Sequence, residues 1–181
     1  MPDIAELRDP HPSDFYQPSN SGSVNVPDTD IFIGKRALEA FFYTESMDLN
    51  DGDKVRQSYS NKLLEYISEN EVPFRTIHTT RETLNITITS LGHGRGEREL
   101  ANDCLNTVVD SDLFRLHHCP EDLYKAAKDE FLQYDPREIS IQEAVLAVHA
   151  KDLEIHHIMT WDSDLTRYND DMTLYPRNFW E

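Results

Sequence analysis

Apolar positions along this chain fall into short runs that alternate with helical stripes. Val26, Ile31, Phe32 and Ile33 form a run interrupted by Asp28-Thr29-Asp30, which predicts a buried parallel strand with acids at its tip. Ala37, Leu38, Phe41 and Phe42 recur at helical spacing and predict a helix from Lys35 to Glu45. A polar loop leads into a second predicted helix, Lys54 to Asn70, with Val55, Tyr59, Leu63, Tyr66 and Ile67 inward. Val72 to His78 reads as a strand. Thr79 to Leu91 reads as a helix capped by Thr79 or Thr80 and stopped by the glycines at 92, 94 and 96. Glu97 to Val109 follows as a helix with Leu100, Cys104, Leu105 and Val108 on one face. Leu113 to Cys119 is a third strand, and Glu121 to Tyr134 a helix opening after Pro120.

The rest of the chain is arranged around Ser140 to Leu165. Ser140 stands at a helix start with Glu143 three residues on, the spacing of a capping box. Ile141, Ala144, Val145 and Val148 make the apolar stripe of the helix. Ile155 to Thr160 then reads as a strand that ends on Trp161 and Asp162. The alternation of strands and helices predicts an α/β fold, three layers in α/β/α order around a mostly parallel sheet. Residues 24–176 form its one domain, 1–23 an extended or disordered tail rich in Pro, Ser, Asp and Asn, and 177–181 a C-terminal tail. Phe15 and Tyr16 are the residues of the first tail with the means to dock. There is no internal repeat and no GxGxxG or GxxxxGK[ST] phosphate loop.

Composition changes this picture in one respect. The formal net charge is −17, with acids spread along the whole chain and Arg outnumbering Lys. Adaptation to high salt accounts for both features, because screening there shortens the Debye length to about 3 Å at 1 M. A basic partner and partial disorder are the competing accounts. A broad nucleic-acid platform is disfavoured, since phosphate binding needs Lys and Arg. A metal-dependent nuclease is not, because cations bridge acidic protein to acidic substrate. Cys104 and Cys119 lack disulfide-framework and metal-finger spacing and read as free thiols ahead of a disulfide. With no bilayer-spanning run and no signal-peptide pattern, the chain is expected to be soluble and cytoplasmic.

The candidate chemistry is carboxylate chemistry. In open α/β sheets ligands bind at the carboxyl ends of strands, so Asp162 and, from the preceding helix, Glu143 are the first candidates. Asp28-Thr29-Asp30 reads as their counterpart at another strand tip. Each has a plainer reading beside it. Asp30 and Asp164 serve as caps, Glu143 completes its capping box, and Glu82 complements a helix dipole. His117-His118 and His156-His157 alternate across their strands and read as structural. Arg95 and Arg98, beside the glycines, are the candidate RNA-phosphate contacts, with Lys35 and Arg36 read the same way and a solvated face as the alternative.

In chain order, these pieces resemble the PIN domain family of metal-dependent ribonucleases, whose best-known members are VapC-type toxins. Asp28-Thr29-Asp30-Ile31-Phe32-Ile33 is similar to the family's opening Asp-Thr-Asn strand. Ser140-Ile141-Gln142-Glu143-Ala144 is similar to its Ser-x-x-Asp-Ala helix start, and Thr160-Trp161-Asp162-Ser163-Asp164-Leu165 to its closing Thr-x-Asp-x-Asp-Phe. The resemblance implies Mg²⁺ or Mn²⁺ held by Asp28, Glu143, Asp162 and Asp164, with Asp28, Glu82, Glu143 and Asp162 as the catalytic acids. It further implies an RNA substrate, an antitoxin partner and a homodimer. Glu143 departs from the pattern by one methylene. The family's helix acid has no clear equivalent, with Glu82 in the first turn and Asn85 or Ile86 at the spacing that fits best. A degenerate PIN-like module that binds RNA or protein without cutting is therefore the second reading. A third is a phosphatase using the Asp28-x-Asp30 pair, for which the usual Lys and downstream acids are missing.

Overall fold

The structure is a computed structural model that describes residues 9–16, 29–133, 139–168 and 172–180. Five strands, β1 (Asp30–Ile33), β2 (Thr76–Thr80), β3 (Phe114–His117), β4 (His157–Met159) and β5 (Thr173–Tyr175), form one all-parallel sheet in the order β3-β2-β1-β4-β5. Seven α-helices among the described residues cover its faces: α1 (Lys35–Ala40), α2 (Asp51–Ser68), α3 (Arg81–Thr89), α4 (Arg98–Asp110), α5 (Glu121–Gln133), α6 (Ile141–Asp152) and α7 (Arg177–Trp180). This is the three-layer α/β/α arrangement the sequence predicts.

Strand alternation sorts the core. Ile31, Ile33, Ile77, Phe114, Met159 and Tyr175 face a large apolar layer completed by Leu38 of α1, Leu63 of α2, Leu84 of α3 and Val108 of α4. The other face presents Phe32, Ile158 and Leu174 to Leu146, Ala147 and Ala150 of α6. Side chains of successive strand residues point to opposite faces, so both sides of each short strand are apolar. Cys104 and Cys119 are free and buried, and burial pushes the Cys104 thiol up to about 12.

Local chemistry sets the element ends. Asn50 caps α2 by accepting from Asp53 N at 2.9 Å, three residues ahead of the predicted start. Thr80, not Thr79, caps α3 through Thr83 N. β2 begins at Thr76 rather than Val72, because Val72 and Phe74 serve as buried plugs in the connection and Pro73 lacks the ladder donor. Between α3 and α4 the glycine stretch is a π-helical turn, Ser90–Gly94, with Gly96 at φ +76°.

Both expected tails carry structure where they are described. His11 caps a 3₁₀ turn, Pro12–Asp14, which buries Phe15 against Tyr59 and Tyr66. At the other end, β5 extends the sheet and α7 buries Phe179 against Trp161. Aromatic side chains account for both results: a Phe at either end gains more from the core than its segment loses in chain entropy.

Candidate metal centre

In the sheet, strand order reverses between β1 and β4, and the carboxyl ends of these two strands form the crevice where such folds bind ligands. The chain leaving β4 enters that crevice as Thr160-Trp161-Asp162. Trp161 is wedged between Tyr59 and Phe179, and Thr160 Oγ1 accepts from Asp162 N at 3.0 Å. Those two contacts fix where Asp162 stands. A 3₁₀ turn, Ser163–Tyr168, then brings Asp164 around.

From the opposite side, α6 contributes Glu143 in its first turn. The capping box is formed: Ser140 N and Ser140 Oγ both donate to Glu143 Oε2. Capping and ligation are thus compatible in one residue, since the second carboxylate oxygen is left to face the crevice. Carboxylate oxygens of Glu143, Asp162 and Asp164 all lie within 4.8 Å of one another. Burial, then the neighbouring Asp162, push the Glu143 carboxyl up to about 8, against the lowering effect of Ser140. At neutral pH that shift favours the protonated form of Glu143. Arg36 of α1 stands at the edge, its Nε 4.0 Å from Asp162 Oδ2.

The donor set suits a hard divalent cation. Three carboxylate oxygens in one corner match the oxygen preference of Mg²⁺ or Mn²⁺ and leave positions for water.

The remaining predicted residues are placed elsewhere. Asp28 lies outside the described residues. Thr29 and Asp30 do not stand at a strand tip: β1 starts at Asp30, which registers with Thr76 at the entry end of β2, and Asp30 bonds His78 Nε2 at 3.2 Å. The motif was read as the exit of its strand because its apolar run was counted from Val26, whereas the ladder begins two residues past Asp28. At the exit of β1 stands Gly34, whose N donates to Met159 O at 2.8 Å. A Cβ there would meet Thr160 Oγ1 at 3.0 Å, so the close approach of β1 to β4 favours glycine.

Glu82 is in the first turn of α3 and outside the three-carboxylate group; its charge acts instead on His149 and Cys119. Arg95 is engaged by acids: Nε donates to Glu39 at 2.9 Å and one Nη to Asp53 at 2.9 Å and Tyr43 Oη at 2.7 Å. Arg98 lines a hollow of about 470 Å³ between α3 and α4, beside Ile88 and Leu105. Sequence reading missed the Arg95 network and a partly buried histidine cluster, His78 stacked on His117 with ring nitrogens 2.7 Å apart and buried His149 tilted against His117. Strand register and helix orientation create both, and neither leaves a spacing signal along the chain.

No family model matches the chain, and no curated protein is significantly similar to it in sequence. Among solved structures, the crystal structure of VapC20 from Mycobacterium tuberculosis, a toxin that cleaves the sarcin-ricin loop, matches with a TM-score of 0.60 at 18% sequence identity, covering 76% of this chain and 93% of that one. This chain has a VapC-like PIN fold. In that fold the crevice holding Glu143, Asp162 and Asp164 lies between the exits of β1 and β4, the place where the Ser-x-x-Glu-Ala and Thr-Trp-Asp-Ser-Asp motifs meet.

Proposed function

We propose that this protein is a PIN-type endoribonuclease that hydrolyses RNA phosphodiester bonds with Mg²⁺ or Mn²⁺, as the toxin of a toxin–antitoxin pair in the cytoplasm. The observation that carries the reading is the convergence of Glu143, Asp162 and Asp164 at the switch point of a PIN fold. Glu143 and Asp162 hold the cation in this reading, with Asp164 reaching it directly or through a water. When bound, the cation supplies Lewis acidity and neutralises phosphate charge. The chain's own groups do the positioning: Ser140 orients Glu143, Thr160 orients Asp162, and Glu143 gives up its proton as the cation binds. Arg36, beside Asp162, is placed to meet a phosphate oxygen. Asp28 enters only through the family resemblance, as do the homodimer and the antitoxin.

A second reading, a PIN-like module that binds RNA or protein without cutting, is favoured by one observation: β1 delivers Gly34 to the crevice and not an acid. Incubation of RNA with Mn²⁺ separates the two. The nuclease reading expects the wild type to cut, and Glu143→Gln or Asp162→Asn to lose at least the roughly 10–100-fold that removing even an outer partner of a metal site costs. Equal cleavage by all three proteins removes this site from the chemistry. An inert wild type that still takes up Mn²⁺ in calorimetry favours the non-cutting module.

A further inference from the structure

Beside the carboxylates, a cleft of about 450 Å³ opens between α1, α2 and the π-helical turn. Its lining includes Lys35, Arg36, Arg56 and Arg95 against two carboxylates, Glu39 and Asp53. In a chain with 34 acidic and 17 basic residues, a recess with twice as many cations as anions runs against the rest of the molecule.

The cations divide into two kinds. Arg95 and Arg56 form a fixed floor. Arg95 binds Glu39, Asp53 and Tyr43 and covers the Tyr43 ring at 4.5 Å, while Arg56 donates to Asp53 at 2.7 Å. Glu39 and Asp53 are both buried, so these pairs are screened little by solvent and leave the floor close to neutral. Lys35 and Arg36 form the lip. Lys35 Nζ approaches Glu39 only to 3.9 Å, and half-exposed Arg36 approaches Asp162 only to 4.0 Å. With three and five donors respectively, both keep most of their hydrogen-bonding capacity for a ligand. They follow Gly34 directly in the chain, so the lip of the cleft and the carboxylate crevice are continuous.

We propose that this cleft binds a phosphate of single-stranded RNA adjacent to the bond at the carboxylates, with Lys35 and Arg36 as its contacts and the Arg56–Asp53–Arg95–Glu39 floor holding the recess open. That the bound strand is the substrate rests on the nuclease reading; that the cleft takes RNA phosphate does not. The binding solves a problem set by charge, since a protein this acidic repels RNA everywhere except where cations are gathered.

The test is fluorescence anisotropy of a short labelled single-stranded RNA with the full chain in EDTA, across a series of KCl concentrations. Lys35→Gln and Arg36→Gln are each expected to weaken binding by about three- to tenfold and to reduce the log–log salt slope by about 0.7, the value of one single-strand phosphate contact. Lys35→Arg and Arg36→Lys are expected to restore most of the binding, which a folding defect at these positions does not predict. Asp162→Asn, which removes a negative charge next to the lip, is expected to bind RNA at least as tightly as the wild type. Wild-type affinity in both Gln variants overturns the proposal, as does a wild type that binds no RNA. Displacement of the RNA by inorganic phosphate at matched concentration overturns it in favour of a small-anion site. RNA bound through Lys35 and Arg36 but left uncut with Mn²⁺ removes the nuclease reading and keeps the cleft. RNA cut equally well by the Gln variants does the reverse.

Discussion

Glu143 caps its own helix and, on the nuclease reading, also holds the cation, and its titration exposes the conflict between the two roles. Its folded value, about 8, is raised above the ordinary 4.5, first by burial and then by Asp162. A raised carboxyl stabilises the fold fully below the unfolded value, and that contribution disappears as pH climbs through 8. The metal-free protein is therefore expected to lose stability between pH 4.5 and 8 through this group, and Glu143→Gln to flatten that slope in urea titrations at several pH values. On the nuclease reading Mn²⁺ takes Glu143 and Asp162 as carboxylates, so it is expected to raise the melting temperature of the wild type at pH 8 and not that of Asp162→Asn; equal shifts in both proteins would place the ion elsewhere. Gly34 is the other residue on which the crevice depends. Gly34→Ala forces a methyl toward Thr160 Oγ1 and is expected to cost about 1–3 kcal/mol by urea denaturation, within the usual range for overpacking. Of these two residues, Glu143 is legible in the sequence, because a capping box is a local pattern. Gly34 is not, because its need for glycine comes from a strand more than a hundred residues downstream.

Among the elements, the π-helical turn Ser90–Gly94 is held by charge as well as by Leu91, which is fully buried in the core. Arg95 follows it and reaches Glu39 of α1 and Asp53 of α2, both buried. Arg95→Ala leaves buried Glu39 with only the 3.9 Å approach of Lys35 and Asp53 with only Arg56, and a loss of up to about 3–5 kcal/mol, the range for a broken buried ion pair, is expected. Chemical denaturation measures it, and a loss below about 1 kcal/mol shows that Arg56 and Lys35 compensate. The histidine layer between β2, β3 and α6 works in the opposite sense to Glu143. Burial, with His78 and His149 close by, lowers His117 from 6.5 to about 4. A depressed histidine stabilises the fold above its unfolded value, and the contribution is lost as pH falls from 6.5 toward 4. Acid unfolding in that window is expected to be less steep in His117→Gln, which retains a partner for His78. Helix and strand identities were readable from periodicity from β1 to β4, while β5 and α7 were not. The boundaries moved where a plug residue such as Phe74 or a cap such as Asn50 overrode it, and the ends gained structure because Phe15 and Phe179 had a core to enter.

At the level of the whole molecule the acid excess is the dominant property. With 34 acidic against 17 basic residues, half of the acids have no basic counterpart and repel one another, and salt relieves this by shortening the Debye length from about 10 Å at 0.1 M to about 3 Å at 1 M. The melting temperature is expected to rise across that KCl range, while RNA affinity at the cleft falls over the same range. A melting temperature that is flat or falls with KCl removes the salt-adapted reading and leaves a basic partner as the better account of the charge.

Periodicity, caps and the order of short motifs were sufficient to specify an α/β layer fold, the α6–β4 unit and the two acids it brings together, because each of these is encoded within a few residues of itself. Strand direction and register were needed for everything else. They put Asp30 at the entry rim and Gly34 at the exit, packed three distant histidines together, and turned Arg95 from a surface cation into a partly buried tie. Pairing between strands depends on the sum of contacts across the sheet, and no stretch of the chain carries that sum alone.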